Sequence, residues 1–239
     1  EPVERVEPLD AGAAADGHDR YQIKLSGRTI KTPARQTLAL PTEALAEAIA
    51  DEWRAQGDLI DPQSMPLTKL ANTTCDGILA RADDVRAEIL AFVGRDLVCY
   101  CAATPFDLFE RQQTQWAPAL RWAERTFGCP LVTTEGLMPI EQPTEVLAGA
   151  KSAIDRLAPW QLGAVHVITT LTGSGVMALM LANEAILPES VWDAAHVDDT
   201  YQAEQWGADA EAEARLDYRK AEMLSACRFL EAVREGQEH

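Results

Sequence analysis
The sequence predicts an α+β protein with segregated parts: a small N-terminal β-rich region followed by a larger, all-helical one. Three observations carry this. Apolar and polar residues alternate with a period of two in the first forty positions. From Pro41 onward, apolar residues recur at steps of three and four. Strand and helix signals do not interleave, which disfavours a parallel βαβ sheet. The boundary falls near residue 63, giving a β-rich domain with one helix over 1–63 and a helical domain over 64–239.

The strands come first. Tyr21 to Leu25 alternates, as does Arg28 to Thr32, and Ser26-Gly27 between them is a hairpin signal. Pro33 ends the second run because it cannot donate to a ladder. Thr37 to Leu40 reads as a short third strand and Val3 to Leu9 as a fourth. Thr42 is a good N-cap for the first helix, with Glu43 in its first turn. Leu45, Ile49 and Trp53 then recur every four residues, so all three are expected in the core, and Gly57 is expected to close the helix.

The rest reads as helix. A second helix is expected around Leu67 to Leu79, and a third has Val85, Ile89 and Phe92/Val93 on one face. Phe106, Phe109, Trp116, Leu120, Ala123 and Phe127 mark a longer one, with Trp116 a core anchor. Pro118 should kink it or start a fresh helix. Gly128-Cys129-Pro130 breaks the pattern, and a helix follows over Thr144 to Leu157. Leu162 to Ala182 carries no formal charge. It is long enough for a membrane span, but its Thr, Ser, Gly and His content points to a central helix buried on all sides. Pro188 opens a long final helical segment.

Composition narrows function by exclusion. Lys+Arg total 21 against Asp+Glu 38, a formal net charge of -17. Nucleic-acid binding needs a basic face, and anionic membranes repel an acidic surface. The charge suits solubility or a basic protein partner. Five cysteines at irregular spacing fit buried thiols in a reducing compartment better than a disulfide framework. The acidic N-terminus lacks secretory and transit signatures, and a bacterial-type cytoplasm is expected.

No catalytic, cofactor or metal motif stands out. Thr172-Gly173-Ser174-Gly175 resembles a phosphate loop only superficially, since it lacks a preceding strand and a nearby Lys. Its glycines are better explained by close helix packing. Of the four histidines, His18 lies in an expected loop, His239 is terminal and His166 sits on the apolar helix. His196 lies near Asp193, Asp198 and Asp199 and allows an alternative reading, an acid/His hydrolase, possibly metal-assisted. The clearest charge feature runs from Glu184 to Asp217, with ten acids against one base, Arg215. Trp206 and Gly207 are embedded in it. An aromatic within an acidic stretch suits a contact patch. The strand region is locally basic, with Lys24, Arg28, Lys31 and Arg35.

Ordered motifs extend along the chain. Gly27 to Pro33 is followed by Leu40-Pro41-Thr42, Ala50-Asp51-Glu52-Trp53, Ile60-Asp61-Pro62, Met65 to Thr68, Leu70 to Thr73 and Asp76. Asp96-Leu97, Tyr100, Gln112 and Trp116 continue the series, and Gln202, Trp206-Gly207 and Glu211-Ala212 end it. The sequence thereby resembles the alphaproteobacterial and mitochondrial assembly chaperones of F1 ATP synthase that bind the free α subunit. The resemblance implies a non-enzymatic, cofactor-free protein with a small β-rich domain and a larger helical one. It would hold unassembled α subunit until β arrives, and is expected to be monomeric when free. We expect Gln202, Glu204, Trp206, Gly207, Asp209 and Glu211 to form the partner-binding face.

Overall fold
The computed structural model describes residues 3–8 (backbone only), 21–207 and 209–235. Leu9, His18 and His239 lie outside the described residues. Helices dominate, and strands are few and short. The chain divides into two compact units. One comprises Glu1–Ala82, Ala158–Ala164 and Ser225–His239, the other Asp83–Leu157 and Val165–Leu224. This division and a split at residue 63 differ in where they place 64–82, 158–164 and 225–239.

In the first unit, β1 (Val3–Pro8), β2 (Tyr21–Leu25) and β3 (Arg28–Thr29) form an antiparallel sheet in sequence order. Ser26 and Gly27 take φ of 47° and 74°, the left-handed pair that a two-residue hairpin turn requires. Beyond Thr29 the expected strands shrink to isolated bridges, Lys31 to Thr37 and Tyr21 to Leu40. The loop between them turns on the Arg35 N–H donating to the Thr32 carbonyl (2.8 Å). Ile23, Leu38 and Leu40 are buried against this scaffold.

Helix α1 (Glu43–Arg54) starts at Thr42 as expected, the hydroxyl accepting from the Leu45 N–H (3.2 Å). The same hydroxyl donates to the Ala232 carbonyl (2.6 Å), fastening α1 to the chain's last helix. α1 ends at Arg54 with Ala55 as its cap, so Gly57 does not close it. Leu45 and Ile49 are fully buried. Trp53 is only half-buried, because one more turn carries the stripe past the edge of the core. Helix α2 (Pro66–Thr73) continues into a π-helical turn (Thr74–Ile78) and a 3₁₀ turn (Leu79–Arg81), where one helix was expected. Trp160 stacks on Phe229 with ring centroids 6.3 Å apart.

The second unit is organised on α4 (Phe106–Phe127), which packs against α5 (Thr144–Asp155), α7 (Gly175–Ala182), α8 (Pro188–Ala195) and α9 (Val197–Trp206). Helix α3 (Ala82–Val93) buries Val85, Ile89 and Val93. Helix α4 runs on through Pro118, so no fresh helix starts there. Pro118 and Thr114 are both exposed, so the carbonyl that loses its amide partner is open to water. Gly128 ends α4 in the left-handed conformation, φ 86°. Two-residue strands β4 (Tyr100–Cys101) and β5 (Thr134–Glu135) pair in parallel.

The uncharged segment is two helices, not one: α6 (Pro159–Thr172) and α7. Gly173, at φ 71°, turns the chain, and the Ser174 hydroxyl accepts from the Met177 N–H (3.0 Å) to restart it. Every residue of α7 is buried. No helix among the described residues is long and apolar enough to cross a membrane. The final segment is α8, α9 and α10 (Ala210–Arg234).

Candidate functional site
The acidic stretch becomes a discrete surface in the second unit. Gln202, Glu204, Trp206, Gly207, Asp209 and Glu211 all lie at the end of α9 and the start of α10, and all are exposed. Gly207 ends α9 with φ 87° and ψ 154°, a conformation that suits glycine, and its N–H donates to the Ala203 carbonyl (2.9 Å). The turn leaves Trp206 as the last helical residue, 87% exposed. An indole in water is unspent apolar surface, worth about 2 kcal/mol when a partner covers it. Asp209 accepts the Glu211 N–H (3.2 Å) and so opens α10.

This surface is held by the first turns of α4. The Tyr201 hydroxyl donates to the Asp107 carboxylate at 2.8 and 2.9 Å, and the phenol is thereby biased towards its protonated form. The Arg111 guanidinium reaches Glu204 at 2.7 Å and lies 5.3 Å from the Tyr201 ring centroid. Gln112, buried, accepts from the Ala102 N–H (2.6 Å) and donates to Asp198 (2.6 Å). Trp116, fully buried, donates its indole N–H to the Ala194 carbonyl (2.8 Å) at the end of α8. Three positions on α4 therefore fix α9, the helix that presents Trp206, and Trp116 fixes α8 just before it. Gln112 and Trp116 were readable as motif residues; Asp107 and Arg111 carried no signal in the sequence, because their partners lie about ninety residues away.

His196 does not gather a carboxylate cluster. Its ring is buried and stacked on Trp192 at 3.7 Å, and Nδ1 lies 2.9 Å from the Trp192 carbonyl. Burial lowers its pKa, favouring the neutral ring. Among the described residues, no group of three or more His, Cys, Asp or Glu side chains is placed to hold a metal ion. Cys99, Cys101 and Cys227 are buried, whereas Cys75 and Cys129 are partly exposed, against the expectation that all five are buried. Burial pushes the Cys99 thiol up to about 12.

Motif residues in the first unit prove to be connectors. The Glu52 carboxylate on α1 accepts from the N–H groups of Leu67 (2.7 Å) and Thr68 (2.8 Å) and from the Thr68 hydroxyl (2.7 Å). It thereby caps α2, whose own N-cap residue, Met65, offers no side-chain acceptor. Asp76 accepts from the Ala34 N–H (3.0 Å), pinning the loop after the sheet to the π-helical turn.

These connectors fall within the span of a family match. The family model for the ATP12 chaperone protein matches residues 9–124. The crystal structure of Atp12 from Paracoccus denitrificans is 34% identical to this chain, covers 96% of it and 95% of its own length, and superposes with a TM-score of 0.87. The chain belongs to the ATP12 chaperone family. An aspartate-to-lysine mutant of the P. denitrificans Atp12p is similar to the same degree, at 34% identity over 97% of this chain and 96% of that one, TM-score 0.88. A protein of Agrobacterium tumefaciens assigned as a chaperone is 36% identical over 96% of this chain and 84% of its own, TM-score 0.88. An ATP12-family chaperone acts in ATP synthase assembly. The α+β fold with a small strand region and a predominant helical part is the one the sequence predicted.

Proposed function
We propose that this ATP12-family chaperone binds the unassembled α subunit of F1 ATP synthase, shields its interface and releases it to β. The observation that carries the reading is the exposed Trp206 within an acidic surface at the end of α9 and the start of α10. A lone subunit of an alternating ring exposes a large apolar interface that aggregates when uncovered. A chaperone has to cover that interface and still yield to the true partner. One aromatic anchor ringed by carboxylates meets both needs: the indole supplies contact area, and the charges speed association without slowing release. The reading assigns the protein a binding role with no reaction to catalyse.

The test is capture of isolated α subunit in soluble complex, followed by displacement with β. Trp206→Ala and Glu211→Lys should each weaken capture at least tenfold while leaving the melting temperature unchanged. Capture that survives both changes would place the contact elsewhere. Glu204→Lys is a less clean probe, because it also breaks the pair with Arg111.

A further inference from the structure
Strand β5 is paired along one edge only, and the parity of its bonds shows which main-chain groups are left over. The parallel register sets Tyr100 opposite Thr134 and Cys101 opposite Glu135, and the Gly136 N–H donates to the Cys101 carbonyl (2.8 Å). Main-chain groups of successive strand residues point to alternate edges. Those of Thr134 and Gly136 therefore face β4, and those of Thr133 and Glu135 face away from it. Gln142 serves Val132 on the β4 side, accepting from its N–H and donating to its carbonyl, both at 2.9 Å, and reaching Cys99 Sγ at 3.6 Å. On the far edge, among the described residues, no donor or acceptor meets the Thr133 N–H, the Thr133 carbonyl or the Glu135 N–H. The Glu135 carbonyl has only the Thr134 hydroxyl, at 3.5 Å. Both residues are exposed, and an open edge of this kind is a template for another strand.

The side chains of Thr133 and Glu135 share one face of the strand pair with Cys101, and α4 packs over that face, the Gln113 amide donating to Cys101 Sγ (3.1 Å). Between α4 and β5 an open groove of about 480 Å³ remains, lined by Phe109 and Gln113 on one side and Thr133 to Glu135 on the other. Phe106, stacked on Phe109 with centroids 6.2 Å apart, is 69% exposed, and Leu137 and Met138, just past the edge, are 93% and 73% exposed. Glu110, Glu135 and Glu141 are exposed as well, and no Lys or Arg occurs over 126–150.

We propose that the free edge of β5 takes up an extended segment of client polypeptide, apolar at every second residue and flanked by basic ones, as a third strand. Thr133 and Glu135 offer a donor and an acceptor each, repeated at ~6.6 Å, and an extended main chain is the ligand that answers both polarities at that repeat. Its alternate side chains fall on the face where Phe109 lines the groove, and its basic ends meet the carboxylates. The paired length is short, so the contact yields to a true partner. The inference rests on the chaperone reading in taking the client to be a polypeptide, and it adds a main-chain contact to the Trp206 surface of the same unit.

The test follows backbone amide resonances in the full chain during titration with a capped Lys-Thr-Val-Thr-Val-Thr-Lys peptide. The Thr133 and Glu135 N–H signals should move downfield, saturate and become protected from exchange. Those of Thr134 and Gly136, already turned to β4, should change much less. N-methylation of the peptide on alternate residues should weaken binding at least tenfold in one phase and leave it unaltered in the other, because only one set of its N–H groups faces β5. Glu135→Lys, an exposed change, should weaken binding severalfold at low salt. Unmoved Thr133 and Glu135 signals at millimolar peptide, equal shifts at all four amides, or equal binding of the two methylated phases overturns the proposal. So does a shift that depends on the concentration of the protein alone, which would make a second copy the occupant. Capture of intact α subunit, measured in parallel, separates the two readings. Peptide bound with no α subunit captured upholds the edge and removes the α-subunit assignment; α subunit captured with peptide ignored removes the edge alone.

Discussion

Asp96 is fully buried, yet both its oxygens are engaged: one accepts from the Val98 N–H (3.3 Å), the other from the Val176 N–H (2.9 Å) at the start of α7. Burial raises its pKa to about 6, and hydrogen bonds from Ser174, Val176 and Val98 only partly offset that. A carboxyl whose folded pKa lies above its unfolded value favours the fold when protonated. That contribution is complete below the unfolded pKa, near 3.8, and is lost as pH rises through about 6. It amounts to about 3 kcal/mol across the full window. Urea denaturation at pH 5 and pH 7.5 should therefore show a loss of about 1 kcal/mol in the parent that is missing in Asp96→Asn. Identical losses in the two would refute the assignment. Glu52, half-buried, is satisfied by three donors from α2. Glu52→Ala should cost about 2 kcal/mol in denaturant titrations, the scale of a lost charged cap. Trp53, one residue later, shows the limit of periodicity: it keeps the spacing of Leu45 and Ile49 but lines a groove instead of the core.

Helices give a second lesson, because their interruptions follow from packing more than from propensity. Pro118 is expected to kink the segment or start a fresh helix, yet α4 continues as one helix, since the proline faces water and buried Trp116, Ala119 and Trp122 hold both halves in place. The uncharged stretch looks unbreakable, yet it breaks at Gly173. There the Leu97 N–H donates to the Gly173 carbonyl (3.2 Å), Asp96 caps α7, and Arg219 donates to the Leu171 carbonyl (2.7 Å). The reading of these glycines as packing sites holds for Gly175, where an added methyl would come within 2.7 Å of Val93 Cγ2. At Gly149 on α5 a methyl would overlap the backbone of Phe127 at the end of α4. Gly149→Ala should therefore destabilise the protein by about 3 kcal/mol, despite alanine's better helix propensity. A thermal melt at or above the parent's would show that α5 can move away from α4.

At the scale of the whole molecule, the net charge of -17 resolves into places with different tasks. Some acids are internal fasteners: Asp107 to Tyr201, Asp198 to Gln112, Glu204 to Arg111. Asp209 and Glu211 remain at the exposed turn beside Trp206. If these carboxylates steer a basic client, association with α subunit should slow severalfold between 50 and 300 mM salt, on the order expected for screened rim charges, with dissociation little changed. Stopped-flow rates at the two salt concentrations would decide it, and a salt-independent on-rate would leave Trp206 as the sole anchor. The sequence by itself determined the α+β class, the hairpin at Ser26-Gly27, the Thr42 cap, the Gly128 stop and the acidic segment around Trp206. Each of these depends on a residue and its immediate neighbours, where turn geometry, capping and periodicity act. Only the tertiary structure decided that Asp107 and Arg111 hold α9, that Asp96 restarts a helix eighty residues on, and that Trp53 leaves the core to line a groove. Those outcomes depend on which surfaces meet, and pairing across long sequence separations leaves no local pattern to read.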